Sequence, residues 1–150
     1  MSELQTFVDV MKDLPTATEP PVEMGGHRAY IEDALQYSEQ THTFEDVQDA
    51  VRAGSMQFWP GYSSAVVTEI HVYPKAKCLH IFLAGGNLEE IEIMAPSILK
   101  WGYVMGCEAA SIAGRRGWER SFLTKTGWQK LNLIYLTKRL GAEEYGNGRE

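Results

Sequence analysis

Apolar positions recur along the chain first at helical spacing, then in strand-like runs, then at helical spacing again. Leu4, Phe7, Val8 and Met11 predict a short amphipathic helix at the amino end. Residues 14–26, with Pro15, Pro20, Pro21, Gly25 and Gly26, read as a flexible linker. A packed domain is expected from His27 onward. Tyr30, Ile31, Ala34 and Leu35 share one face of a first helix. Thr43 is placed to cap a second, with acids in its first turn and Phe44, Val47, Ala50 and Val51 along one side. Gly54 ends it. Residues 55–59 are short and β-prone, and Pro60-Gly61 turns the chain.

Ala65, Val66, Val67, Ile70 and Val72 predict a strand that Pro74 stops. Residues 78–84 predict a second, mostly apolar, as expected of a strand covered on both faces. Gly85-Gly86-Asn87 then breaks the sheet and opens a helix carrying Leu88, Ile91, Met94, Ile98, Trp101, Val104 and Met105. Pro96 lacks a backbone donor, which predicts a kink or a new helix starting near Ala95. Gly106 ends that element. A third strand over 108–114, a helix over 117–124, a turn at Gly127 and a last strand over 131–137 follow. From Gly141 the tail is glycine-rich and polar, and is expected to be mobile. The pattern is that of one α/β (α+β) domain over 27–140, flanked by a helix and linker (1–26) and a tail (141–150).

Length and composition agree with this. The chain has 150 residues, 44% hydrophobic and 23% charged, with a net charge of −6. A domain this size buries enough surface for a core of its own. The acidic balance excludes sequence-independent nucleic-acid binding as the default, because such binding relies on Lys and Arg neutralising phosphates. Cys78 and Cys107 fall in separate elements without CxxC spacing, so neither a disulfide framework nor a zinc site is expected. Residues 1–11 contain acids and lack the basic start of a signal peptide, and no apolar run is long enough for a membrane span. A cytoplasmic setting is expected. A ten-residue helix on a linker is not stable alone; it docks back on the domain, binds a partner, or stays disordered.

Candidate chemistry is concentrated on the first strand. Glu69 and His71 are two apart, so their side chains share a side. A carboxylate beside an imidazole orients it as a general base. Tyr73 on that same side is the nearest candidate acid. The alternative is an acid and a histidine on the solvent side of a strand. Arg115 and Arg116 either clamp an anion or are solvated. Cys107 reads as a buried, inert thiol, and Trp59, Trp101, Trp118 and Trp128 as large core residues.

The order of two adjacent strands, a long helix opening at a glycine pair, then strand, helix, Gly-aromatic turn and strand resembles the GNAT superfamily of N-acetyltransferases. Met56-Gln57-Phe58-Trp59, Thr68-Glu69-Ile70, Leu83-Ala84-Gly85-Gly86 and Gly114-Arg115-Arg116-Gly117-Trp118 are similar to segments of small GNAT-like proteins encoded by tailed phages. The resemblance implies a mixed central sheet flanked by helices, whose strand before the long helix splays from its neighbour to admit acetyl-CoA. It implies cofactor contacts at Leu83, Ala84, Gly85, Gly86, Asn87, Leu88 and Arg115, since a helix N-terminus offers unpaired N–H donors to a diphosphate. It implies acetyl transfer to an amine by direct attack, with no covalent intermediate. Two positions depart from the family pattern. The usual Gly-x-Gly or Gly-x-Ala loop is replaced by Gly85-Gly86-Asn87 followed by Glu89, Glu90 and Glu92, acids that suit the helix dipole. Leu123 stands where a proton-donating Tyr precedes the Gly127-Trp128 turn. The alternative is therefore a fold kept without the chemistry, as a homo-oligomer, a virion assembly component or a binder of a phage or host protein.

Overall fold

The computed structural model describes residues 20–38, 40–113, 118, 122–131 and 136–148. After a 3-10 turn at Gly25–His27 come α1 (Arg28–Leu35), α2 (Phe44–Arg52), β1 (Gln57–Pro60), β2 (Ser64–Tyr73), β3 (Ala76–Gly86), α3 (Leu88–Val104) and β4 (Ala109–Ile112). A 3-10 turn at Phe122–Lys125 and the short α4 (Ala142–Tyr145) complete the described elements. The sheet runs in the order β1-β2-β3-β4. The first three strands are antiparallel, and β4 lies parallel to β3. The domain is thus mixed α+β with helices on both faces of a mixed sheet.

Each face has its own core. On one, α1 and α2 bring Ile31, Leu35, Phe44, Val47 and Val51 against Phe58, Ala65, Val67 and Leu83. On the other, α3 lays Ile91, Met94, Ile98 and Trp101 against Val66 and Leu79. Trp101 meets Trp59 edge-on with ring centroids 5.4 Å apart, an arrangement aromatic pairs prefer. The start of α2 is fixed by a reciprocal capping box. Asp46 N–H donates to Thr43 Oγ1 at 3.2 Å, and Thr43 N–H donates to Asp46 Oδ2 at 2.9 Å.

Several expectations change. Met24 is fully buried in the α1 core, so the packed unit includes the end of the stretch read as linker. Gly85 and Gly86 do not break the sheet; they pair with Ala65 and Ser64 as the end of β3. Pro96 does not start a new helix, because α3 runs unbroken from Leu88 to Val104 with Pro96 exposed on its outer side. The apolar character of β3 predicted cover on both faces, yet the α1–α2 layer stops short of Cys78 and His80, which remain half-buried. The carboxyl tail carries the short, exposed α4, with Lys138 Nζ donating to Glu144 Oε1 at 2.9 Å. Leu131, Leu136 and Thr137 lie outside any strand. The amino-terminal helix, Arg115, Arg116, half of the predicted 117–124 helix and most of the predicted 131–137 strand lie outside the described residues. No helix among the described residues is long and apolar enough to cross a membrane.

The strands change phase at a bulge. Val67 pairs with Leu83 but Thr68 pairs with Ile81, leaving Phe82 as the extra residue. Before it, Leu79 and Ile81 face α3 while Cys78 and His80 face the α1 side. After it, Leu83 and Gly85 face α1 while Ala84 faces α3.

Candidate functional site

The predicted base is assembled as the strand period dictates. His71 Nε2 lies 2.8 Å from Glu69 Oε1, and His71 Nδ1 lies 3.2 Å from the Tyr73 hydroxyl. An ionised carboxylate only accepts, so Nε2 carries the hydrogen and Nδ1 is left as an acceptor for Tyr73. Glu69 and His71 are both partly exposed, and Tyr73 reaches further into solvent.

Register places more chemistry on this face than the sequence reading named. His80 is directly opposite Glu69, and Cys78 is opposite His71. Ser111 on β4 pairs with His80 from the other side. The imidazoles of His71 and His80 stack with centroids 4.9 Å apart and planes 23° from parallel. His80 Nδ1 lies 2.9 Å from Ser111 Oγ, which also accepts from Cys78 Sγ at 3.4 Å. Burial, and then the adjacent His71, push the pKa of His80 down, partly offset by Glu69. Six polar side chains from three strands therefore form one array. The signal for the missed members was the same two-residue spacing: Cys78 and His80 repeat on β3 the pattern of Glu69 and His71 on β2. Finding it required the pairing register, which a single sequence does not state. Among the described residues no group of His, Cys, Asp and Glu has the arrangement of a metal site.

The glycine pair is explained by packing. A Cβ on Gly85 would collide with the backbone carbonyl of Tyr30 in α1. Gly86 has φ +105°, and a Cβ there would collide with the carbonyl of Ser63. Asn87 N–H donates to that same Ser63 oxygen at 2.9 Å, while Asn87 Oδ1 caps α3 by accepting from Glu90 N–H at 3.0 Å. Glu90 is 3% exposed, and its carboxylate accepts from the backbone of Tyr62 and Ser63 and from the Ser64 hydroxyl. It fastens the β1–β2 turn, whose Gly61 carbonyl is also held by His27 Nε2 at 2.8 Å. Of the other predicted cofactor contacts, Leu83 is buried beneath α1, Ala84 faces α3, and Leu88 is half-exposed.

The expected splay is tested on both sides of β3. Toward β2, the adjacent strand where the splay was expected, there is none: the two strands pair from Tyr73 opposite Ala76 to Ser64 opposite Gly86, because Gly85 and Gly86 continue the ladder. Toward β4 it stops at Ile81 opposite Ile112, and β3 continues for five residues without a β4 partner among the described residues. A small apolar cleft, with a cavity volume of about 20 Å3 and open to solvent, lies there. Val66, Ile81, Ala84, Ile91, Leu99 and Ile112 form part of its wall.

No known family profile matches the chain, and no curated protein matches it. Two crystal structures of TTHA1254 from Thermus thermophilus share the fold. An isoleucine-to-methionine mutant aligns with a TM-score of 0.54 at 12% identity, over 74% of this chain and 91% of that one. The wild-type protein aligns with a TM-score of 0.52 at 14% identity, over 76% and 96% respectively. At this level of identity the likeness concerns the fold.

Proposed function

We propose that the protein transfers an acyl group from an acyl-coenzyme A thioester, acetyl-CoA in the simplest case, to an amine. The observation that carries this is the end of β3–β4 pairing at Ile81–Ile112 among the described residues, with an apolar cleft beside a strand still anchored on its other edge. Ile81, Ile91, Leu99 and Ile112 suit the thioester arm and its acyl chain. The diglycine does not suit a diphosphate cradle, since both missing Cβ positions are filled by backbone. When bound, the thioester supplies an electrophilic acyl carbon. The chain's own residues supply the base: Glu69 fixes the His71 tautomer, and Nδ1 takes the amine proton once Tyr73 gives way.

Thermal unfolding with acetyl-CoA tests the reading. A ligand at a hundred times its Kd stabilises by about 2.7 kcal/mol, a rise of several degrees in Tm. An unchanged Tm at millimolar acetyl-CoA rejects it. The filled diglycine favours a second reading, in which the fold serves an assembly or binds a phage or host protein without coenzyme. An unchanged Tm together with stable self-association or capture by a virion protein supports that alternative.

A further inference from the structure

We propose that Ser111 is an acyl-accepting nucleophile with His80 as its base, so that transfer runs in two steps through an acyl-serine. The inference deepens the acyl-transfer reading above and rests on it. It replaces the direct attack that the family resemblance implies.

Three observations carry it. A nucleophile and its base must lie within hydrogen-bond reach, and Ser111 Oγ is 2.9 Å from His80 Nδ1. The Cys78 thiol donates to Ser111 Oγ at 3.4 Å, which occupies one lone pair and turns the hydroxyl hydrogen toward His80. Position supplies the third. Ser111 and His80 are the sequence neighbours of Ile112 and Ile81, the last paired residues of β4 and β3 and part of the cleft wall. The isoleucines face α3, and Ser111 and His80 face the other side. Neither Ser111 nor His80 lines the cleft, so an acyl group held there reaches Ser111 only by passing the sheet beyond the Ile81–Ile112 pair, where β3 has no β4 partner among the described residues. The half-buried setting of His80 keeps its imidazole neutral, as a base requires.

The stacked rings then divide the work. In the first step Ser111 Oγ bonds to the acyl carbon as its proton passes to His80. The bond from that carbon to the donor's sulfur or ester oxygen breaks, and the leaving group takes the proton from His80. In the second step the amine nitrogen bonds to the same carbon and loses its proton to His71. The bond to Ser111 Oγ breaks, and the proton returns to that oxygen through solvent.

The test is acid-quenched intact mass spectrometry after exposure to p-nitrophenyl acetate or acetyl-CoA. The expected result is one added acetyl group mapping to Ser111, absent in Ser111→Ala and slower to form in His80→Gln. Ser111→Cys should carry the group as a thioester, which keeps the test valid if the alanine variant folds poorly. An unmodified protein, or an acetyl group on Cys78 or a lysine instead, overturns the proposal. If acetyl-CoA binds and Ser111→Ala transfers as fast as the parent, the relay fails and the acyltransferase reading stands. If p-nitrophenyl acetate labels Ser111 but acetyl-CoA neither binds nor reacts, the nucleophile stands and the coenzyme reading fails.

Discussion

Gly85 lies so close to the Tyr30 carbonyl that even a methyl group between them would collide with it. The contact joins the end of β3 to α1 through two backbones, and it gives the first of the glycine pair a role in packing. Gly85→Ala and Gly86→Ala should each destabilise the fold by about 1–3 kcal/mol, the usual cost of overpacking or of a strained backbone. Gly86→Ala bears both, because its φ lies in the left-handed region. Urea titration measures this, and wild-type midpoints in both variants would remove the packing explanation.

Glu90 is expected to matter for folding. Removing its carboxylate leaves two backbone donors and a hydroxyl without their acceptor, at about 1–3 kcal/mol for each buried group left unpaired. Glu90→Ala should therefore lose more stability than Glu90→Gln, which keeps one acceptor oxygen. Equal melting temperatures for the two variants would contradict the role given to this side chain.

Glu69→Gln and His71→Gln should slow acyl transfer to an amine about 10²–10⁴-fold, the usual contribution of a positioned base. The stabilisation by acetyl-CoA should persist in both, because neither residue lines the cleft. Loss of that stabilisation would show that the array belongs to donor binding instead.

His80 makes a prediction about acid. Its folded pKa is depressed, so below about 6.5 the unfolded chain takes up a proton that the folded chain resists. Stability is full above that value and declines as pH falls toward and through the folded pKa. Tm measured against pH should show this decline, and His80→Gln should flatten it.

The two thiols should react differently. Burial pushes the Cys107 thiol up, an effect that nearby Lys77 opposes, while Cys78 lies on the open face of the sheet. Alkylation of the native protein near neutral pH should mark Cys78 first, with Cys107 protected until denaturant is added. Faster labelling of Cys107 would contradict the burial assigned to it.

Local rules were legible in the sequence where a short segment decides its own shape. The Thr43 cap, the Gly54 and Gly106 stops and the Pro74 turn need only their neighbours. So does the shared side of Glu69 and His71, which follows from the strand period. What needed the fold was pairing between segments. Gly85-Gly86 reads locally as a break, yet both residues pair with β2, because α1 and the β1–β2 turn leave no room for side chains there. Pro96 reads as a helix start, but the apolar face of Ile91, Met94, Ile98 and Trp101 holds one helix together across it. His80 and Ser111 look like isolated polar residues until the register sets them side by side.

Phe82 has a consequence for any chain built on this plan. Were it deleted, Ile81 and Leu83 would become neighbours opposite Thr68 and Val67, and every other side chain of β3 would keep its present face and partner. What would go is the aromatic itself, whose ring meets His42 edge-on with centroids 4.8 Å apart. The inserted residue thus ties the stretch between the first two helices to the ribbon, while plain two-residue alternation is what parts greasy from reactive groups across it.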